Sequence, residues 1–184
     1  EKVSDKVFVP LTVGGGIAGV DDMRTLLNAG ADKIAVCSAA LKDPAILSRG
    51  ADSFGSQCIV LSIDAKRYGR SWHAYSGGGR IDTGRDALEW AAEGEALGAG
   101  EILLNSIDQD GTGAGYDLTL NRLVSENASI PVIASGGAGN LEQISQAVIK
   151  GKADAVLLAS LLHFRELSIN EIKDFLRKKG VPVR

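Results

Sequence analysis

Short runs of apolar, β-branched residues alternate along this chain with longer stretches whose apolar positions recur every three or four residues. The short runs cover 9–13, 33–37, 59–63, 102–107, 131–134 and 155–159, the length and composition of strands. The longer ones, 20–28, 44–54, 86–97, 118–126, 141–149 and 169–179, predict amphipathic helices. Their starts carry the expected punctuation. Pro44 stands at a first helical position behind Asp43, and Asn140 precedes Leu141-Glu142-Gln143 as an N-cap. Strand-helix units joined by short connections predict a parallel sheet covered by helices.

Counting the units narrows the fold. A (β/α)8 barrel takes about 250 residues, roughly 31 per unit. At that spacing 184 residues make about six units. The expectation is an α/β chain of the TIM-barrel class, an incomplete barrel of about six parallel strands with outer helices, forming one domain over 1–184. The opening EKVSDKVFVP reads as the tail of one helix running into a strand, and this predicts that the first units of the barrel lie before Glu1.

The glycines carry the first candidate chemistry. One triple glycine, Gly14-Gly15-Gly16, is by itself only a tight turn. However, the segment 9–41 lines up with 130–162: Pro10 with Pro131, Gly15 and Gly16 with Gly136 and Gly137, then, after one extra residue, Asp32 with Asp154 and Ser38 with Ser160. In each copy a glycine turn leads into a helix, and the next strand ends in small residues, Ser38-Ala39 or Ala159-Ser160. Bare amides beside a helix N-terminus bind anions, because unpaired N–H groups and the helix dipole point at the ligand together. Two copies predict a ligand with two phosphates.

Composition removes other classes. The net charge is −3 with 45% hydrophobic residues, and no basic patch marks a nucleic-acid binder. No run approaches the length of a membrane span and no signal-peptide pattern opens the chain, so the expectation is a cytoplasmic protein. Cys37 and Cys58 lack metal-ligand spacing and read as buried thiols. His73 and His163 have no partner at metal or triad spacing and read as structural. No metal or cofactor is called for.

A series of motifs, TVGGGI, GADKIAVCSAA, FGSQCIVLSIDAKR, GGRIDTG, GAGEILLNSIDQDGTGAGYD, IPVIASGGAG and HFRE, is far more specific than any single glycine loop. Over its whole length the chain resembles the C-terminal three-quarters of the cyclase subunit of imidazole glycerol phosphate synthase, a family of histidine biosynthesis. The resemblance implies a (β/α)8 barrel acting on a bisphosphorylated ribotide. It also implies a glutaminase partner that supplies ammonia through the barrel axis, with imidazole glycerol phosphate and an aminoimidazole carboxamide ribotide as products.

Asp64 ends a strand, at the face where barrel chemistry occurs, and the resemblance makes it a catalytic acid-base aspartate. A second catalytic aspartate and a loop lysine of the family belong to the first barrel strand and its loop, which are expected to lie outside this chain, so the chain alone is expected to have little or no cyclase activity. The resemblance assigns Gly16, Cys37 and Ser38 to one phosphate, and Asp110, Gly111, Gly137, Ala159 and Ser160 to the other. Cys37 stands where the family commonly has Asn, and a thiol is a weak donor. Asn105, often Thr in the family, and Ser135 place hydrogen-bonding groups at the mouth. The glycine-rich stretch after Tyr75-Ser76 is too long for a minimal turn and reads as a lid or hairpin over substrate. Lys33 and Glu101 open their strands at the opposite face. By resemblance they belong to a charged gate for ammonia, with Asp32 and Gln57 facing the glutaminase.

Two other readings keep a place. A related ammonia-using enzyme that amidinates surface sugars is motivated by Asn105 and Gln109, while HFRE and the GVPVR ending favour the histidine-pathway form. A non-catalytic phosphate-binding fragment is motivated by the absent strands. Such a chain is expected to self-associate through its unpaired edges. The sister isomerase of the pathway shares the glycine repeats but fits SIDAK and AGYD less well.

Overall fold

The computed structural model describes residues 6–183. The helix tail read in the opening residues lies largely outside them. Six parallel strands form the body of one sheet: β1 (Thr12–Gly14), β2 (Lys33–Val36), β3 (Ile59–Tyr68), β6 (Glu101–Ser106), β7 (Val132–Ser135) and β8 (Ala155–Val156). They run in the order β1-β2-β3-β6-β7-β8, every neighbouring pair parallel. Between β3 and β6 the chain makes an antiparallel hairpin of β4 (Ser71–Ser76) and β5 (Ile81–Asp86). The helices α1 (Val20–Asn28), α3 (Ala45–Phe54), α4 (Ala87–Ala96), α5 (Leu118–Asn127), α6 (Leu141–Ile149) and α8 (Ile169–Lys178) connect or follow the strands. Two short helices, α2 (Ser38–Lys42) and α7 (Ser160–His163), leave the ends of β2 and β8. Among the described residues β1 and β8 each have one strand neighbour, so this is an α/β sheet of barrel type that stays open.

Period-two burial sets the orientation of every side chain that matters. In β2 and β6 alternate residues are buried and half-buried. Ile34, Val36, Ile59, Leu61, Ile63, Ile102 and Leu104 point to the helix layer, where they pack with Met23, Ile46, Leu47, Trp90 and Leu120. That layer is tight: a Cβ on Gly94 of α4 would overlap the Leu61 side chain. The opposite face carries Lys33, Ala35, Ser62, Asp64, Glu101, Leu103, Asn105 and Ile133, all half-buried. It is the inner face of the barrel-type sheet. No helix among the described residues is long and apolar enough to cross a membrane.

Three local differences from the sequence reading have physical causes. The run at 9–13 forms a ladder only at Thr12–Gly14, and Phe8 and Val9 are exposed; the run at 155–159 pairs only at Ala155–Val156. Both are outer strands, where fewer partners hold the chain extended. Neither α2 nor α7 was legible, since helices of 5 and 4 residues are shorter than one period of an amphipathic pattern can reveal.

Candidate functional site

The C-terminal ends of the parallel strands gather around Asp64. Contrary to the sequence reading, Asp64 does not end its own strand: β3 continues to Tyr68 because Asp64–Tyr68 pair with β4 of the hairpin. In register, Asp64 lies beside Asn105 of β6, and Asn105 beside Ser135 of β7. The Asn105 side-chain amide donates to Asp64 Oδ1 at 3.1 Å. On the other side the Cys37 thiol lies 3.9 Å from Asp64 Oδ2 and 4.0 Å from the Tyr75 carbonyl. Burial, then the neighbouring Asp64 charge, pushes the Cys37 thiol up to about 11. It is therefore a neutral donor at physiological pH, unsuited to nucleophilic work. Both cysteines are free and half-buried, less enclosed than the sequence reading held.

The two glycine modules flank this carboxylate with matched geometry. Gly15 and Gly16 have φ of 96° and 70°, and Gly136 and Gly137 have 91° and 99°, values that disfavour any side chain. The strand-end residues match as well: Cys37 (φ −119°, ψ −91°) caps α2, and Ala159 (φ −115°, ψ −80°) caps α7. Asp32 and Asp154 do one job in both copies, accepting from the Leu11 and Val132 amides at 2.7 and 2.9 Å. That bond uses an oxygen of Asp32, the residue read as partner-facing.

The surroundings of the two modules differ. At the second, a cavity of about 410 Å³ is lined by Asp110, Gly111, Ser135, Gly137, Ala159 and Ser160, among others; six residues assigned from sequence thus share one wall. At the first, the Ser38 hydroxyl accepts from the Gly77 amide at 2.9 Å, so the hairpin tip rests on α2. Gly16 is open, with no atom within 4 Å of where a Cβ would stand.

Several neighbours escaped the sequence reading. His73 Nδ1 is 3.1 Å from both Asp82 oxygens and its ring stacks on Tyr68 at 4.2 Å. The Gly84 amide first, then His73, hold the Asp82 carboxyl below its usual range. Gln143 ties the second glycine turn to the loop at Gly113, accepting from the Gly139 amide and donating to the Gly113 carbonyl. The stretch was read as a lid or hairpin from its length alone, and the signal that could have given its strand, and with it these pairs, was the period-two alternation in 71–76.

At the opposite face Lys33 Nζ pairs with Glu101 Oε2 at 2.9 Å, bridging the first residues of β2 and β6 across β3. Gln57 is exposed nearby, its amide donating to the Phe54 carbonyl at 3.3 Å. No group of three or more His, Cys, Asp or Glu with metal-binding geometry occurs among the described residues.

Fold and site together define an α/β barrel-type protein with a carboxylate on the inner face of the sheet, set between two glycine turns of similar backbone geometry. The model of a family described as histidine biosynthesis protein matches residues 1–168. An imidazole glycerol phosphate synthase subunit HisF from Dehalococcoides mccartyi is 59% identical over the entire chain and 73% of its own length. One from Lachnoclostridium phytofermentans is 58% identical over the entire chain and 72% of its length. The chain belongs to this histidine-biosynthesis family, as a relative of the imidazole glycerol phosphate synthase subunit HisF.

Proposed function

We propose that the chain carries cyclase chemistry of imidazole glycerol phosphate synthase. In this reading ammonia delivered by a glutaminase subunit closes the imidazole ring of a bisphosphorylated formimino-carboxamide ribotide. The reaction releases imidazole glycerol phosphate and aminoimidazole carboxamide ribotide. The observation that carries it is the placement of Asp64 between two loop-and-short-helix modules of matched backbone geometry, a duplicated half-site for a ligand with a phosphate at each end. Asp64 moves protons at the ring-closing atoms. Gly16, Cys37 and Ser38 face one phosphate, and Asp110, Gly111, Gly137, Ala159 and Ser160 the other, with Asn105 and Ser135 between them. We take residues 9–41 and 130–162 as copies of one unit within a single domain.

Ammonia enters from the opposite face, past the Lys33–Glu101 pair, with Asp32 and Gln57 toward the partner. The Asp32 contact has to coexist with its bond to the Leu11 amide. The test is Asp64→Asn in ammonia-dependent turnover of this chain supplemented with the segment that its longer relatives carry. The amide keeps the shape and cannot exchange a proton, so turnover falls by at least a hundredfold while ribotide affinity stays within a few-fold. Near-normal turnover removes Asp64 from the chemistry.

A further inference from the structure

Asp64 has two oxygens and two side-chain neighbours that can donate to them. Asn105 Nδ2 lies 3.1 Å from Oδ1 and the Cys37 thiol 3.9 Å from Oδ2. The Asn105 contact has ordinary hydrogen-bond length; the thiol contact is long and weak. Facing a carboxylate fixes which end of the Asn105 amide points where, because only the NH₂ group can donate. The Asn105 Oδ1 then points the other way, toward the second glycine turn. A Cβ on Gly136 would stand 3.0 Å from that oxygen and 2.7 Å from the Ser106 carbonyl. Gly136 therefore leaves the room in which the Asn105 amide can lie flat between Asp64 and the turn. Strand register places Asn105 between both neighbours, beside Asp64 on β3 and Ser135 on β7.

We propose that Asn105 is the positioning residue of the site, holding one oxygen of Asp64 so that the other is presented to the ligand in one orientation. The assignment rests on the reading of Asp64 as the acid-base group, and it gives Asn105 work distinct from touching substrate. A donor of different shape at this position keeps the function only if it reaches Oδ1. Removing the donor leaves Asp64 free to rotate about its terminal torsion, which is broad and weakly restrained on its own. Binding of the ligand's phosphates needs none of this, since the loops supply their own amides.

Two measurements test the proposal, and they fail independently of each other. In this chain, the Asn105 side-chain NH₂ resonances should exchange with solvent at least tenfold more slowly than those of exposed asparagines, and Asp64→Ala should abolish the protection. An unprotected Asn105 amide, or protection that survives Asp64→Ala, overturns the positioning role whatever the chemistry. In ammonia-dependent turnover with the relatives' additional segment supplied, Asn105→Ala should lower kcat about tenfold or more with KM within about twofold. Asn105→Thr, which retains a hydroxyl donor, should recover most of the loss. An Asn105→Ala variant with unchanged kcat alongside an inactive Asp64→Asn overturns the positioning role and leaves the acid-base reading standing. If Asp64→Asn itself keeps its turnover, the acid-base reading fails while the amide measurement still decides the contact.

Discussion

Cys37 is where a single substitution of residue type changes what the site can do. A side-chain amide at that position would offer two strong donors, whereas the thiol offers one weak donor and lies near Asp64 and the Tyr75 carbonyl. Its pKa stands at about 11 instead of 9.0, raised first by burial and then by Asp64. A raised thiol pKa means that the folded chain holds its proton after the unfolded chain has lost it. The associated stability is complete below pH 9 and is lost as pH rises from 9 toward 11. Cys37→Ala should therefore flatten the fall in Tm across that window, compared in a Cys58→Ala background so that one thiol titrates. Tyr116, whose hydroxyl donates to the Leu157 carbonyl and whose pKa burial also raises, contributes in the same direction above pH 10 and remains in both variants. An identical alkaline slope with and without Cys37 would show that the thiol is solvated. At this scale the sequence was informative about which face Asp64, Asn105 and Ser135 occupy, because a strand's period fixes it. Only Ser135 ends its strand, however: Asp64 stands inside β3, which runs on to Tyr68 to pair with the hairpin. The sequence said nothing of the contact between Cys37 and Asp64, which depends on a β2–β3 separation that no spacing along the chain encodes.

The two glycine modules make the contrast between elements that only bind and elements that also pack. A Cβ on Gly137 would overlap the Gly115 carbonyl, whose residue also donates its amide to the Gly137 carbonyl. A side chain there meets the protein's own backbone before any ligand, so Gly137 substitutions do not report on phosphate, contrary to the simplest expectation from the repeat. Gly16, open on all sides at φ 70°, is the cleaner probe. Gly16→Ala carries mainly the left-handed backbone cost, about 1–2 kcal/mol, or roughly 2–8 °C in Tm for a chain of this size. Gly137→Ala should lower Tm by at least twice as much. Thermal melts without ligand decide it, and equal shifts would mean that the Gly115 loop yields without cost. Helices and parallel strands were legible at this scale because each has a periodic pattern. The β4–β5 hairpin was read only as a lid or hairpin without register, since its pairing, with the shift between Ala74 and Tyr75, is set by β3 continuing past the sheet to Tyr68. The pairing of the Ser38 hydroxyl with the Gly77 amide followed from that continuation and had no signature of its own.

For the molecule as a whole, the open sheet sets the remaining physical problem. Six parallel strands with the described edges at β1 and β8 leave backbone N–H and C=O groups without strand partners along both outer strands, and such edges template further pairing. Apolar side chains cluster in sequence near the same edges: Phe8 is 94% exposed and Val9 69% just before β1, while Leu157 is 40% exposed just after β8 and Phe164 68% after α7. Each exposed apolar group removed from water contributes about 25 cal/mol per Å², so burying these groups together with the edges favours association. We expect this chain, kept without the additional length of its relatives, to form dimers or higher species that bury β1 and β8. A separately supplied segment completing the barrel should compete with that association, because it satisfies the same edges. Sedimentation velocity at several concentrations, with and without the added segment, reads both effects. A concentration-independent monomer would show that β1 and β8 are protected some other way; a self-associated species unmoved by the segment would place the contact away from these edges.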